Sequence, residues 1–358
     1  MKYKNLGNTK LKVSNICLGT MTFGEQNSKK DSFKIMDFAF EKGINFFDTA
    51  EMYPTYPRKE TQGDSERIIG DWIKVKKNRQ KIILATKVSS NHPQGLGATG
   101  LKWIRQGGKY LKLDKKNIYQ AVNDSLKRLK TDYIDLYQLH WPERNVPLFG
   151  QLDFDHKNNK KKWTPIEEVL QNLDNLVKMG KIRYIGLSNE TAWGIMKYLN
   201  YSRNFNFTKP ISIQNGYNLL NRTFDISNSE VSIREKCHLI AHSALAGGLL
   251  SGKYLNGKKP RNSRYSSRLK SFRIHNNKKT ELAIKKYFKL SKKYKIPLIN
   301  LAYAFVINRP YVASCIIGAT SETQLNNNIK SLDIKLTDEI IEDINKIHRS
   351  DPNPYMLN

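Results

Sequence analysis

Cysteine is scarce: the 358 residues hold three, Cys17, Cys237 and Cys315. The number is odd, no two share C-x-x-C spacing, and each lies in or beside a strand-like run. They read as buried free thiols rather than zinc ligands. Long apolar runs are missing too. None approaches the roughly 18 residues that a membrane-spanning helix needs, so no membrane insertion is expected. The first residues, MKYKNLGNTKLKVSNICLG, lack the apolar segment of a signal peptide and read as folded protein, which makes the cytoplasm the expected location. Acidic residues are few, 32 against 61 basic ones, for a formal charge of +29. Such a balance invites a nucleic-acid partner. The lysines, however, are dispersed and mixed with asparagine (NNKKKW, HNNKK, LNNNIK), and there is neither an arginine-rich stripe nor a nucleic-acid-binding motif. A solvated lysine-rich surface is expected, with no specific nucleic-acid partner. Weak, salt-sensitive association would follow from charge alone.

What is present is an alternating chain. Apolar residues make up 39% and aromatics 10%, enough for a sizeable core. KYKNLG and LKVSNICLG flank a turn at Gly7-Asn8 and predict a hairpin. Eight short apolar runs then predict strands at 16–19, 45–48, 82–87, 134–140, 182–186, 211–214, 238–241 and 313–317. Segments of helical periodicity lie between them. DSFKIMDFAFEKG has a capping Asp31 and a terminating Gly43. TPIEEVLQNLDNLVKMG has Thr164, then Pro165 at the first helical position, with Gly180 after the end. Eight strand-then-helix units predict an α/β fold, a (β/α)8 TIM barrel forming one domain over residues 1–358, with an N-terminal β-hairpin and extended loops after the strands. A doubly wound sheet is the alternative, but GTMTFG after the first barrel strand does not fit G-x-G-x-x-G.

Barrel enzymes place their chemistry at the C-terminal ends of strands. Here those ends carry Asp48, Lys87, His140, the pair Ser188-Asn189, and Gln214. Each alone has a bland account: Lys87 as a lysine snorkelling to solvent, His140 as a satisfied core histidine. Together they converge. Asp48 and Lys87 end neighbouring strands and can pair, which would offset the cost of burying the carboxylate. Tyr53 lies on the loop that begins at Asp48. A tyrosine beside an ammonium is a better proton donor than one in water, and His140 can bond an oxygen docked above it. This group suits protonation of an oxygen that is gaining negative charge. Reducing a carbonyl that way also needs a hydride, which no side chain supplies, so a nicotinamide cofactor is implied.

GINFFDTAEMY, DSLKRLKTDYIDLYQLHWP, KIRYIGLSN, SIQNGYNLL and IIGATSETQLNNNI, in that order, resemble the signatures of the aldo-keto reductases. The resemblance runs nearly end to end. It is strongest to the Tas-like branch and extends to the β subunits of voltage-gated potassium channels. It implies a catalytic tetrad of Asp48, Tyr53, Lys87 and His140, with Tyr53 as general acid. It also implies contacts from Ser188, Asn189 and Gln214 to the nicotinamide carboxamide. Ser243, Leu245 and Lys253 would follow the pyrophosphate, and Gln324 and Asn328 the adenosine end, with NADPH/NADP the expected cofactor. Gly318 to Ser321, opening the last helix of the barrel, would meet a phosphate through backbone N–H groups.

Three features depart from the family's pattern. His242 stands where an aromatic ring often stacks on the nicotinamide, and a charge on it would make turnover pH-dependent. The loop PTYPRKETQGD after Tyr53 is long and could cover the substrate mouth. After Gly318 the lysine-arginine pattern for a 2′-phosphate is absent, and Thr320 and Gln324 stand there instead, so Arg264 or Arg268 is the expected source of that charge. Trp141 is the expected substrate-pocket wall, with Trp103 and Phe149 as weaker candidates. The expected activity is NADPH-dependent reduction of a small-molecule aldehyde or ketone to the alcohol. The alternative is an NADP(H)-binding redox sensor or regulatory subunit with little turnover.

Overall fold

The computed structural model describes residues 1–91, 101, 103–105, 111–148, 150–158, 162–261, 263 and 277–355. Strands β1 (Tyr3–Asn5) and β2 (Lys12–Ser14) pair antiparallel. Eight parallel strands then close a barrel: β3 (Ile16–Gly19), β4 (Phe46–Asp48), β5 (Ile83–Val88), β6 (Ile134–Leu139), β7 (Ile182–Ser188), β8 (Pro210–Gly216), β9 (His238–His242) and β10 (Val312–Ile317), which returns to β3. The helices around it are α1 (Lys29–Glu41), α2 (Asp64–Lys76), α3 (Lys115–Leu129), α4 (Ile166–Lys178), α5 (Ala192–Phe205), α6 (Asn228–Arg234), α7 (Lys278–Lys293), α8 (Leu298–Ile307), α9 (Glu322–Ile329) and α10 (Asp338–Ser350). This is the expected (β/α)8 TIM barrel with its hairpin. Among the described residues, no helix is long and apolar enough to cross a membrane.

Two apolar layers hold it. Ile16, Leu18, Phe47, Leu84 and Tyr137 face outward and pack under the helices. Cys17, Phe46, Ala85, Leu136 and Ile240 face the lumen, where Leu6 and Val13 of the hairpin join them. The hairpin therefore plugs the N-terminal end. Gly7, at φ +63°, lies so close to Ile211 that a Cβ would come within 2.8 Å of the Ile211 Cβ, so only glycine serves there. The C-terminal end of the barrel stays open for a site.

Two boundary expectations need correction. The N-cap of α1 is Ser28, not Asp31: the Ser28 hydroxyl accepts from Asp31 N–H at 3.1 Å and donates back to the Asp31 carboxylate at 2.6 Å. Asp31 thus sits inside the first turn, its carboxylate holding the capping hydroxyl rather than capping the helix itself. Pro165 is likewise the N-cap of α4 rather than its first helical residue, because its carbonyl accepts the first helical bond, from Val169 N–H at 3.0 Å. Several strands run a residue or two beyond, or begin a residue after, their expected limits. All three thiols are free and buried.

Candidate active site

Strand alternation places the central groups. Phe46 faces the lumen and Phe47 the helices, so Asp48 faces the lumen again. On β5 the same parity carries Ala85 inward and then Lys87. Lys87 is completely buried. Its ammonium donates to Asp48 Oδ2 at 2.6 Å and to the Thr49 carbonyl at 2.7 Å. The other carboxylate oxygen, Oδ1, accepts from Gln214 Nε2 at 2.8 Å and from Gln138 Nε2 at 3.1 Å. Both buried charges are therefore paired and hydrogen-bonded, as burial requires. The Lys87 nitrogen lies 4.9 Å from the Tyr53 ring centre, and the Tyr53 and His140 rings meet edge-on at 5.7 Å. Burial alone would lower the Lys87 pKa. The Asp48 carboxylate and the Tyr53 hydroxyl outweigh it and hold that pKa above the ordinary lysine value.

Two histidines share this floor, and both are kept neutral. Burial, with the Lys87 charge adding to it, pushes the His140 pKa well below the ordinary 6.5. The same two causes bring His242 down to about 4. His242 contacts Ser243 Oγ through Nδ1 at 2.9 Å and Asn189 Oδ1 through Nε2 at 3.3 Å. At neutral pH these surroundings favour the uncharged imidazole of His242. A histidine whose pKa is lower when folded binds its proton more readily when unfolded. Stability must then fall as pH drops from about 6.5 toward 4. From His242 alone, roughly 2 kcal/mol should be lost between pH 7 and 4.5. Urea unfolding across that range measures it, and a His242→Phe variant should show a shallower slope. Equal slopes for the two proteins would contradict the assignment.

Asp48, Tyr53, His140, Asn189, Gln214, His242, Ser243, Leu245, Lys253, Gly318, Thr320, Gln324 and Asn328 all line one cavity of about 960 Å³. Lys87 and Ser188 sit just behind the wall. Ser188 Oγ donates to the Gln214 carbonyl at 2.9 Å. Asn189, at φ +53°, reaches the His140 carbonyl at 2.9 Å and so ties β6 to β7. Ser321 caps α9, and the Thr320 N–H is already taken by the Gln324 side chain at 3.0 Å. Trp141 lines the cavity and anchors its indole on the Ser90 carbonyl at 2.7 Å. Trp103 packs beside that cluster without lining the cavity. Arg264, Arg268, Phe149 and much of the loop that begins at Asn91 lie outside the described residues.

The Aldo/keto reductase family model matches residues 15–349. The chain belongs to the aldo/keto reductase family. It is an oxidoreductase. It is 42% identical over 355 residues to Protein tas of Escherichia coli K12, covering 98% of each chain. An uncharacterised oxidoreductase of Bacillus subtilis, YrpG, is 33% identical over 97% of this chain and 96% of its own. A probable voltage-gated potassium channel subunit beta of rice is 29% identical over 98% of both.

Within this aldo/keto reductase, the loop after Tyr53 is pinned rather than loose. Thr55 N–H donates to the Met21 carbonyl at 2.8 Å, and Arg58 pairs with Glu25. Three contributions escape a reading of strand ends alone. Gln138 holds Asp48, and its lumen parity with Leu136 and His140 was a usable signal. Glu51 and Arg105 form a buried pair at 3.7 Å, both bonded to the Ser89 backbone just after β5. Arg144 and Glu190 form another at the cavity edge. Nothing in sequence spacing joins the members of those two pairs.

Proposed function

We propose that this oxidoreductase reduces aldehydes or ketones to alcohols with NADPH, and that Tyr53 gives the proton. The observation that carries the reading is Lys87: a wholly buried ammonium, held by Asp48, directly under the Tyr53 ring. In this reading Lys87 stabilises the negative charge left on the phenolic oxygen as the proton leaves. Asp48, itself fixed by Gln138 and Gln214, keeps the ammonium charged and in place. The neutral His140 imidazole offers an N–H to the carbonyl oxygen and orients it. A nicotinamide cofactor, when bound, supplies the hydride.

The cavity suits such a cofactor. Its volume is at the upper end of the roughly 300–1,000 Å³ usual for ligand pockets. Tyr53 and Gln324 of α9 both line it, and a Cβ at Gly318 would meet nothing within 4 Å, so the backbone there faces open space. Asn189, Gln214 and His242 would meet the nicotinamide end, with Ser188 fixed behind them on the Gln214 carbonyl, and Ser243, Leu245 and Lys253 would meet the phosphates. Gly318, Thr320, Gln324 and Asn328 would meet the adenosine end, with Arg264 adding charge for a 2′-phosphate. The preference is testable by fluorescence titration with NADPH and NADH, followed by a panel of aldehydes added to the complex. NADPH should bind more tightly and be oxidised. Equal affinity for both would overturn the NADPH assignment. Tight binding without oxidation by any aldehyde would favour a regulatory nicotinamide-binding role instead, the reading suggested by similarity to the rice channel subunit.

A further inference from the structure

Arg144 lies early in the long loop after β6, and Glu190 directly follows Asn189. Both side chains are buried, at 8% and 3% exposure. Removing two such charges from water costs several kcal/mol per ion unless they are paired and bonded. Here they are paired through both carboxylate oxygens. Arg144 Nη1 donates to Glu190 Oε2 at 2.9 Å, and Nη2 donates to Oε1 and, at 3.2 Å, to Thr191 Oγ1. Glu190 Oε1 also accepts from Thr191 N–H at 2.6 Å. The Glu190 backbone is clasped as well, its carbonyl accepting from Asn215 Nδ2 at 3.0 Å and Asn228 Nδ2 at 3.1 Å. The first turn of α5 rests against the pair: any Cβ at Gly194 would overlap both Glu190 Oε1 and Arg144 Nη2.

The same guanidinium lies 4.9 Å from the centre of the Trp193 ring, and Lys197 lies 5.5 Å from it. Trp193 is 53% exposed, yet it lines the cavity together with Pro147, Leu148 and Leu152 of the Arg144 loop. Leu148 packs in turn with Met52 and Trp141, next to Tyr53. One ion pair thus fixes two walls at once, the loop and the helix start. Its charge is spent internally, and Lys253 is the only lysine or arginine among the described residues lining the cavity.

We propose that Arg144 and Glu190 are positioning residues that clamp the β6 loop to the start of α5, and that the Trp193 indole they hold is a specificity-determining wall for flat, uncharged groups beside the substrate carbonyl. The specificity claim rests on the reductase reading above; the clamp does not. Two measurements separate them. First, with NADPH saturating, Trp193→Ala should raise the KM for 4-nitrobenzaldehyde about tenfold while the KM for propanal moves less than about twofold. kcat and NADPH affinity should hold. An unchanged ratio of the two KM values would overturn the wall. Second, Arg144→Met/Glu190→Gln removes the pair without stranding a buried charge. Acrylamide quenching of Trp193, isolated as the difference from a Trp193→Phe partner protein, should increase in this variant, and the same KM split should appear. Arg144→Lys, which keeps the charge but not the two-pronged bond, should fall between it and the unmodified enzyme. Quenching that does not change would overturn the clamp. If the unmodified protein oxidises no NADPH with any aldehyde, the reductase reading and the wall fail together, and quenching still decides the clamp.

Discussion

Replacing Tyr53 with phenylalanine should lower kcat for aldehyde reduction by about 100- to 10,000-fold, the range that a positioned proton donor contributes. The change removes one oxygen and little else. The ring that stands 4.9 Å from the Lys87 nitrogen and edge-on to His140 is kept, and with it the packing of the cavity floor. NADPH affinity should therefore remain within about twofold, and the loss should appear in kcat and kcat/KM together, as for a group used only in the transition state. Stopped-flow NADPH oxidation against 4-nitrobenzaldehyde, with cofactor binding measured on the same preparation, checks both halves. A variant that keeps its rate would remove Tyr53 as the proton donor. In that case His140 would be the remaining group beside it, although a histidine held neutral well below its ordinary pKa is a poor acid at pH 7.

The barrel and the convergence of the strand ends were legible because both rest on short-period rules. A strand alternates its faces, so knowing that NFFD is strand and that Phe46 is core already places Asp48 in the lumen. The same two-residue step links Ala85 to Lys87 and Leu136 to Gln138 and His140. Caps were less legible because nearby polar residues compete for the role: Ser28 and Asp31 are both capping residue types, and the chain caps with Ser28 while Asp31 holds its hydroxyl. The ion pair at the cavity edge could not be read at all. Arg144 and Glu190 are 46 positions apart, in two loops whose paths no periodicity fixes. Their meeting depends on the tertiary path of the loop after β6. The state of His242 is a consequence of the same kind. Its residue type permits either charge state, and only the burial and the Lys87 ammonium around it select the neutral one.

The second large effect is structural and catalytic at once. Lys87→Met should abolish turnover and also destabilise the fold by about 3–5 kcal/mol, the cost typical of leaving one member of a buried pair without its partner. Methionine roughly fills the volume of the lysine stem, so the penalty comes from charge rather than from a cavity. Asp48 would keep the amide contacts from Gln138 and Gln214 but lose the ammonium at 2.6 Å. Adding Asp48→Asn to the same protein should therefore recover much of the stability while recovering none of the activity. The pH dependence follows from the sign of the shift. Lys87 has its pKa raised on folding, so its contribution is fully present below the ordinary lysine value of 10.5 and is lost only as pH rises through the higher folded value. The single variant should accordingly lose stability evenly across neutral pH, unlike the acid-side loss expected from the histidines. Urea unfolding of the unmodified protein and of the single and double variants at pH 5 and pH 7 separates the two. If the double variant were as unstable as the single, packing around the lysine stem would matter more than the pairing of charges. The Asp48–Lys87 bond would then hold the catalytic geometry without holding the fold.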